Sequence, residues 1–126
     1  MANHNEWGKM GEQIARDYLI RQGYVIRETN WRLNHLEIDI VAQEPNVNLL
    51  HIVEVKTRSE DVHFDPLKSI TRTKIRNLIN AANGYLSYYH LRMGIQYDVV
   101  LVIGSPQDYK VTHILNAFRP PLKTYR

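Results

Sequence analysis

Two apolar runs carry charged residues in places where a buried strand tolerates them least. The first is Leu36-Glu37-Ile38-Asp39-Ile40-Val41-Ala42, and the second is Leu49-Leu50-His51-Ile52-Val53-Glu54-Val55-Lys56. Each is the length and composition of a strand passing through a core. A charged side chain in such a strand needs a counter-charge, a metal ion or an exposed face. Pro45-Asn46-Val47-Asn48 breaks the chain between the runs, so they are expected to pair as an antiparallel hairpin.

Pairing decides whether the charges meet. Alternation places Glu37, Asp39 and Val41 on one face of the first strand, and Leu50, Ile52, Glu54 and Lys56 on one face of the second. Asp39, Glu54 and Lys56 share a face if Asp39 lies opposite Glu54 or opposite Ile52. A slip of one residue would separate them. A turn centred between Pro45 and Asn46 favours Asp39 opposite Ile52, with Glu54 a diagonal neighbour about 7–8 Å away at the backbone.

Two carboxylates converging with a lysine suit one chemistry well. Mg²⁺ takes hard oxygen ligands and keeps several waters, so two or three carboxylates suffice to hold it. A lysine two residues on can orient a water or stabilise charge on a phosphate. The plainer arrangement is an ion pair on a solvated strand face, with Asp39 paired to an arginine.

The rest of the chain frames these strands. Residues 5–22 carry Trp7, Gly11, Ile14, Ala15, Tyr18 and Leu19 at helical spacing, with Asn5 as a candidate cap and Gly23 as a left-handed stop. Gly8 and Gly11 each cost about 1 kcal/mol inside a helix, which makes sense if this helix lies close against the sheet. That approach would bring Glu12 toward the strands; otherwise Glu12 is an exposed helical residue. Residues 24–29 are a short strand candidate and residues 58–69 a polar loop. Residues 70–90 read as a second helix with the stripe Ile75, Leu78, Ile79, Ala82, Leu86 and Tyr89. Residues 95–103 are a near-continuous apolar run, as in a strand buried on both faces. Residues 109–115 form a last strand, and Arg119-Pro120-Pro121 an irregular tail. The order is α-β-β-β-α-β-β: a mixed sheet flanked by helices, in two or three layers.

The chain has 126 residues, enough for one domain over 1–126 with a single core. Having no cysteine, it has no disulfide, thiolate metal site or cysteine nucleophile. The N-terminal residues lack a basic-then-apolar signal pattern and no apolar run reaches membrane-spanning length, so a cytoplasmic location without membrane association is expected. The net charge of +3 is compatible with a polyanionic partner. Arg58, Arg72 and Lys74 follow the charged strands closely and are the candidates for phosphate contacts; Trp31 is a candidate DNA or dimer contact, and Arg32 beside it a further nucleic-acid contact. The six histidines show no metal-binding spacing. His51 alternates away from the charged face and reads as structural. Tyr85, Tyr88 and Tyr89 read as core or interface packing rather than base-stacking groups.

An ordered set of residues extends through nearly the whole chain: Gly8, Gly11-Glu12, Ala15, Tyr18-Leu19 and Gly23-Tyr24; Asn30-Trp31-Arg32; Glu37-Ile38-Asp39-Ile40-Val41-Ala42; Val53-Glu54-Val55-Lys56-Thr57-Arg58; then Lys74, Ala81-Ala82, Tyr85-Leu86 and Tyr97-Asp98-Val99-Val100. In this set the chain resembles the YraN-like family of small bacterial proteins, an uncharacterised group related to the PD-(D/E)XK nucleases and similar to archaeal Holliday junction resolvases. The resemblance implies a restriction-endonuclease-like core and Mg²⁺-dependent cleavage of DNA, structured or branched, with Mn²⁺ able to replace Mg²⁺. It places Asp39, Glu54 and Lys56 on the acid and acid-x-lysine positions of that superfamily, and Glu12 on the helix-one glutamate of the resolvase-like branch. Asp39, Glu54 and Glu12 would hold the metal. A homodimer would suit a near-symmetric junction. Two positions depart from the pattern: Leu36 stands where the family usually has Gly, and Gln96 where it usually has Arg. The alternative is a non-catalytic module on the same fold that binds nucleic acid or a protein partner.

Overall fold

The computed structural model describes residues 4–60, 65 and 68–120. The expected loop over 58–69 lies partly, and the tail from Pro121 wholly, outside them. Helix α1 (His4–Arg21) is followed by strands β1 (Val25–Leu33), β2 (Leu36–Gln43) and β3 (Leu49–Arg58), helix α2 (Arg72–Tyr88), and strands β4 (Gly94–Ser105) and β5 (Asp108–Phe118). The expected order of elements is therefore observed. One five-stranded sheet runs β1-β2-β3-β4-β5. All neighbours are antiparallel except β3 and β4, which are parallel and need the crossover that α2 provides.

The layers are three. Leu78, Ala81, Ala82 and Tyr85 of α2 pack with Ile38, Val41, Leu50 and Ile52 on one sheet face. Trp7, Ala15 and Leu19 of α1 pack with Ile40, Ala42, Val53, Val100 and Val102 on the other. A third cluster of Ile70, Val99 and Leu101, with Ile75, Ile114 and Phe118 packed against it, extends the α2 side across β4 and β5.

Local sequence explains the helix ends. Gly23 has φ 98°, and Tyr24 N–H and Gly23 N–H donate back to Leu19 and Ile20 oxygens, the crossed pair of bonds that closes a helix at a left-handed residue. Thr71 caps α2 by accepting the Lys74 N–H at 3.1 Å. Asn5 lies inside α1 rather than capping it. The buried stripe of α2 is Leu78, Ala81, Ala82 and Tyr85, turned from the expected one. Tyr85 can enter the core because its hydroxyl accepts a hydrogen bond from Arg27 Nε at 3.0 Å, and Tyr89 is left 38% exposed.

Of the two helical glycines, Gly11 is the close approach. A Cβ there would overlap the Thr57 side chain of β3, whereas one at Gly8 would meet nothing. Gly11 thus sets how near α1 lies to the sheet. Trp31, expected at a DNA or dimer contact, is instead 9% exposed and packs edge-on to Tyr85 with ring centroids 5.1 Å apart.

Gly11→Ala should destabilise the fold by ~1–3 kcal/mol through overpacking. Combining it with Thr57→Ala should recover part of the loss, because the clashing hydroxyl and methyl groups are gone. Urea denaturation of the single and double variants measures both values.

Candidate functional site

The site lies where two strands separate. β2 and β3 pair only from Ile40↔Val53 to Gln43↔Leu50. Before Ile40, β2 pairs with β1 alone; after Val53, β3 pairs with β4 alone. Carried one step further, the register sets Asp39 directly opposite Glu54, not diagonal to it. Asp39 and Glu54 are therefore in one of the two registers on which their meeting depends. At the point of separation the Asp39 carboxylate takes over from the ladder: its Oδ2 accepts the Val55 N–H at 2.8 Å.

Alternation slips at this point. Ile38 and Val41 both face α2, while Ile40 faces α1. Across the ladder, the Asn30–Asp39 step is missing between Thr29↔Ile40 and Trp31↔Ile38, and Asn30 adopts φ 50°. Asn tolerates that left-handed conformation better than most residues. The irregularity lets Asp39 be reached from both sides of the sheet.

On the α2 side, Glu54 is only 5% exposed. It shares strand parity with Leu50 and Ile52, which pack against α2. Its Oε2 lies 3.3 Å from Lys74 Nζ, yet this ion pair lacks hydrogen-bond alignment and the oxygen has no hydrogen-bond partner among the described residues. Lys74, expected at a DNA phosphate, is thus the counter-ion of a buried carboxylate. Lys56 follows Glu54 on the same face, half-buried.

On the α1 side, Asp39 joins a cleft of about 450 Å³ lined by Glu12, Glu37, Asn30 and Thr29, with Lys9, Arg16 and Arg32 among its lining residues. Glu12 is therefore not an isolated surface residue. Burial pushes its carboxyl above the usual range, the Asp39 charge adds to this, an Asn30 hydrogen bond opposes it, and Glu37 raises it further. Arg32 lies 3.7 Å from Glu37, with its side chain 72% exposed. Arg58 donates to its neighbour Thr57 O at 2.7 Å, and Arg72 is exposed at the start of α2.

Asp39 is the most strained ionisable group of the set. Burial, then its hydrogen bond to Glu54 and the charge of Glu54, raise its pKa to about 8; the Val55 N–H and Lys74 act in the opposite direction. Two acidic side chains this close and this dry favour a shared proton or a bound cation. Carboxylate oxygens are the donors a hard divalent cation selects, and Glu54 Oε2 is a buried oxygen with no hydrogen bond to lose among the described residues. Asp39 and Glu54 fit such an ion, with Glu12 on the far side of Asp39.

A second cluster was invisible in the sequence spacing. His51 Nδ1 and His113 Nε2 both meet Asp98 Oδ2, at 2.6 and 2.8 Å. Their strands are β3, β4 and β5, so no short motif could have revealed them. Only the alternation of the apolar runs placed His51 on the face opposite Glu54, toward α1.

The raised Asp39 pKa has a definite consequence for stability. The folded state holds the Asp39 proton to about 8 and the unfolded chain releases it near 4. The contribution of this group is full below pH 4 and is lost as pH rises through 8. In chelator, Asp39→Asn should therefore be more stable than wild type at pH 8, by ~1–3 kcal/mol, and the gain should shrink toward pH 4. Thermal melts across that range provide the check.

Comparison with known proteins adds a lineage. The model of "Uncharacterised protein family UPF0102" matches residues 11–102. A UPF0102 protein of Bacteroides thetaiotaomicron is 43% identical over 97% of this chain and 99% of its own length. One from Bacteroides fragilis is 45% identical over the same shares. One from Flavobacterium psychrophilum is 40% identical over 94% of this chain and 98% of its own. The matched stretch runs from Gly11 at the helix–sheet contact to Val102 in β4 and includes Glu12, Asp39, Glu54, Lys56 and Lys74. The recognition of an uncharacterised bacterial family from the motif set is borne out, and the chain belongs to UPF0102.

Proposed function

We propose that this chain is a Mg²⁺-dependent endonuclease that cleaves structured or branched DNA, on a sheet of the PD-(D/E)XK type. The single observation that carries the reading is the buried Glu54 carboxylate, with an oxygen that lacks a hydrogen bond among the described residues, opposite Asp39 where β2 and β3 separate. A purely structural carboxylate would have its oxygens satisfied.

Asp39 and Glu54 would hold the cation, with Glu12 assisting from α1. When bound, the metal supplies positive charge for the phosphate and acidifies a coordinated water. The chain's own residues do the rest. The Val55 N–H fixes the Asp39 carboxylate in place. Lys56, projecting beside Glu54, orients the attacking water and offers positive charge to the transition state. Lys74 neutralises Glu54 in the metal-free protein and competes for the same carboxylate, so cation binding frees its ammonium for a phosphate oxygen. Arg32, Arg58 and Arg72 supply sequence-independent contacts to the DNA backbone.

Cleavage of four-way junction, flap and duplex substrates with Mg²⁺ or Mn²⁺ tests the reading. Wild type should cut at least one of them. Asp39→Ala and Glu54→Ala should lose about 10³-fold or more in rate, and Lys56→Ala ~10²–10³-fold. Salt-dependent DNA binding should persist in all three. A wild type that cuts nothing, or an Asp39→Ala variant as active as wild type, rejects it in favour of a non-catalytic binding module.

Lys74→Met should move two quantities in opposite directions. Without its counter-ion Glu54 is a buried unpaired charge, so the metal-free protein should lose ~1–2 kcal/mol, less than for a fully buried pair because the Lys74 side chain is partly exposed. Without its competitor, Mg²⁺ should bind several-fold more tightly. Chemical denaturation in chelator and calorimetric titration read the two effects separately.

A further inference from the structure

We propose that His51, Asp98 and His113 form a second metal site, specific for a transition-metal dication of the Zn²⁺ type and separate from the carboxylate pair at Asp39 and Glu54. Three adjacent strands supply one ligand each. The candidate ligand atoms all lie within 4.8 Å of one another. Two imidazoles and one carboxylate form a donor set that suits zinc and its neighbours rather than Mg²⁺.

The outward-facing atoms make the case. A metal-binding histidine is oriented by a hydrogen bond at its other nitrogen, often to a carboxylate. His51 Nε2 lies 2.8 Å from Glu44 Oε1. On Asp98, the oxygen turned away from the rings, Oδ1, accepts Gln96 Nε2 at 3.0 Å and the Asn116 N–H at 2.9 Å. The outer positions of His51 and Asp98 are thus held in place, while His51 Nδ1 and His113 Nε2 converge on the remaining oxygen, Oδ2. The Tyr24 ring covers both imidazoles edge-on, with centroids 5.0 and 5.8 Å away.

Protons bridge these atoms at hydrogen-bond distance. Metal bonds of about 2.0–2.1 Å in a tetrahedron hold ligand atoms about 3.3 Å apart, so occupancy asks His51 Nδ1 and His113 Nε2 to move about 0.7 and 0.5 Å further from Asp98 Oδ2 and to settle at the same spacing from each other. The cation takes the place of the bridging protons: His51 releases its Nδ1 proton to solvent and keeps Nε2–H toward Glu44, while His113 binds as the neutral imidazole with its one proton on Nδ1. The site lies on the α1 face, whereas Glu54 faces α2. It would cross-link β3 and β4 to the edge strand β5 beside the register shift between Tyr97 and Val99.

Zinc content after dialysis, thermal melts and zinc-edge X-ray absorption on the full chain test the site. Wild type should retain about one Zn²⁺ per chain. Its Tm should rise by ~5–10 °C at a metal concentration 100-fold above Kd. Asp39→Asn should behave the same way, and His113→Ala should lose both effects. The absorption spectrum should show nitrogen and oxygen neighbours at about 2.0–2.1 Å with an imidazole signature, a readout that needs no variant to fold. No retained zinc, an oxygen-only shell, or a melting shift lost in Asp39→Asn and kept in His113→Ala would overturn the proposal. None of these outcomes depends on whether the chain cuts DNA.

Discussion

Glu54 is nearly buried and faces an Asp39 carboxyl that burial and Glu54 itself drive up to about 8. In a sheet held together by apolar contacts on both faces, two such groups side by side are a standing electrostatic cost. Much of the local architecture bears on that cost. The β2–β3 ladder stops one residue short of the pair. A backbone N–H that would otherwise lose its partner is given to Asp39. Lys74 reaches from α2 to Glu54, and α1 brings Glu12 to the other side of Asp39 because Gly11 lets the helix lie against Thr57. An unfavourable cluster kept at a strand divergence is the arrangement expected of a functional site rather than of a stabilising one.

Much of this was legible in the sequence. The apolar runs marked β2, β3 and β4, the Pro-Asn break marked the hairpin, and the glycines of α1 hinted at a close helix. Alternation could place Asp39, Glu54 and Lys56 on one face once one of two pairing registers was assumed. The irregularities were not legible in the same way. The slip at Asp39 arises from a left-handed Asn30 and from strands that separate, neither of which a regular period encodes. A usable signal did exist: Asn30, Asn34, Asn46 and Asn116 all adopt positive φ, and asparagine is the side-chain-bearing residue most at ease there. Helix α2 was placed correctly but turned about its axis, because Tyr85 enters the core through its bond to Arg27. The pairing of Lys74 with Glu54 was not legible because the two residues lie in different elements.

The two ends of β3 use opposite solutions for buried charge. Toward its start, His51 places a carboxylate on each ring nitrogen. Burial alone would lower its pKa, but the hydrogen bonds and charges of Asp98 and then Glu44 outweigh it and raise it. Burial acts against the Asp98 charge as well; donors from His113, His51, Asn116 and Gln96 nevertheless hold its carboxyl well below the usual range. Toward its end, Glu54 has a lysine at 3.3 Å and, among the described residues, no hydrogen bond on the same oxygen. One end is saturated with partners and the other is short of them. Parallel pairing with β4, which sets His51 beside Gln96 and Val53 beside Asp98, brings the first end together from residues far apart in the chain.

Catalysis at this site requires a cation to replace Lys74 at Glu54. A crystal soaked in Mn²⁺ and measured for anomalous scattering tests this most directly. The expected result is a peak between the Asp39 and Glu54 carboxylates with the Lys74 ammonium withdrawn from Glu54. A structure with no peak there and Lys74 still in contact with Glu54, at Mn²⁺ concentrations well above those of a functional site, would contradict it.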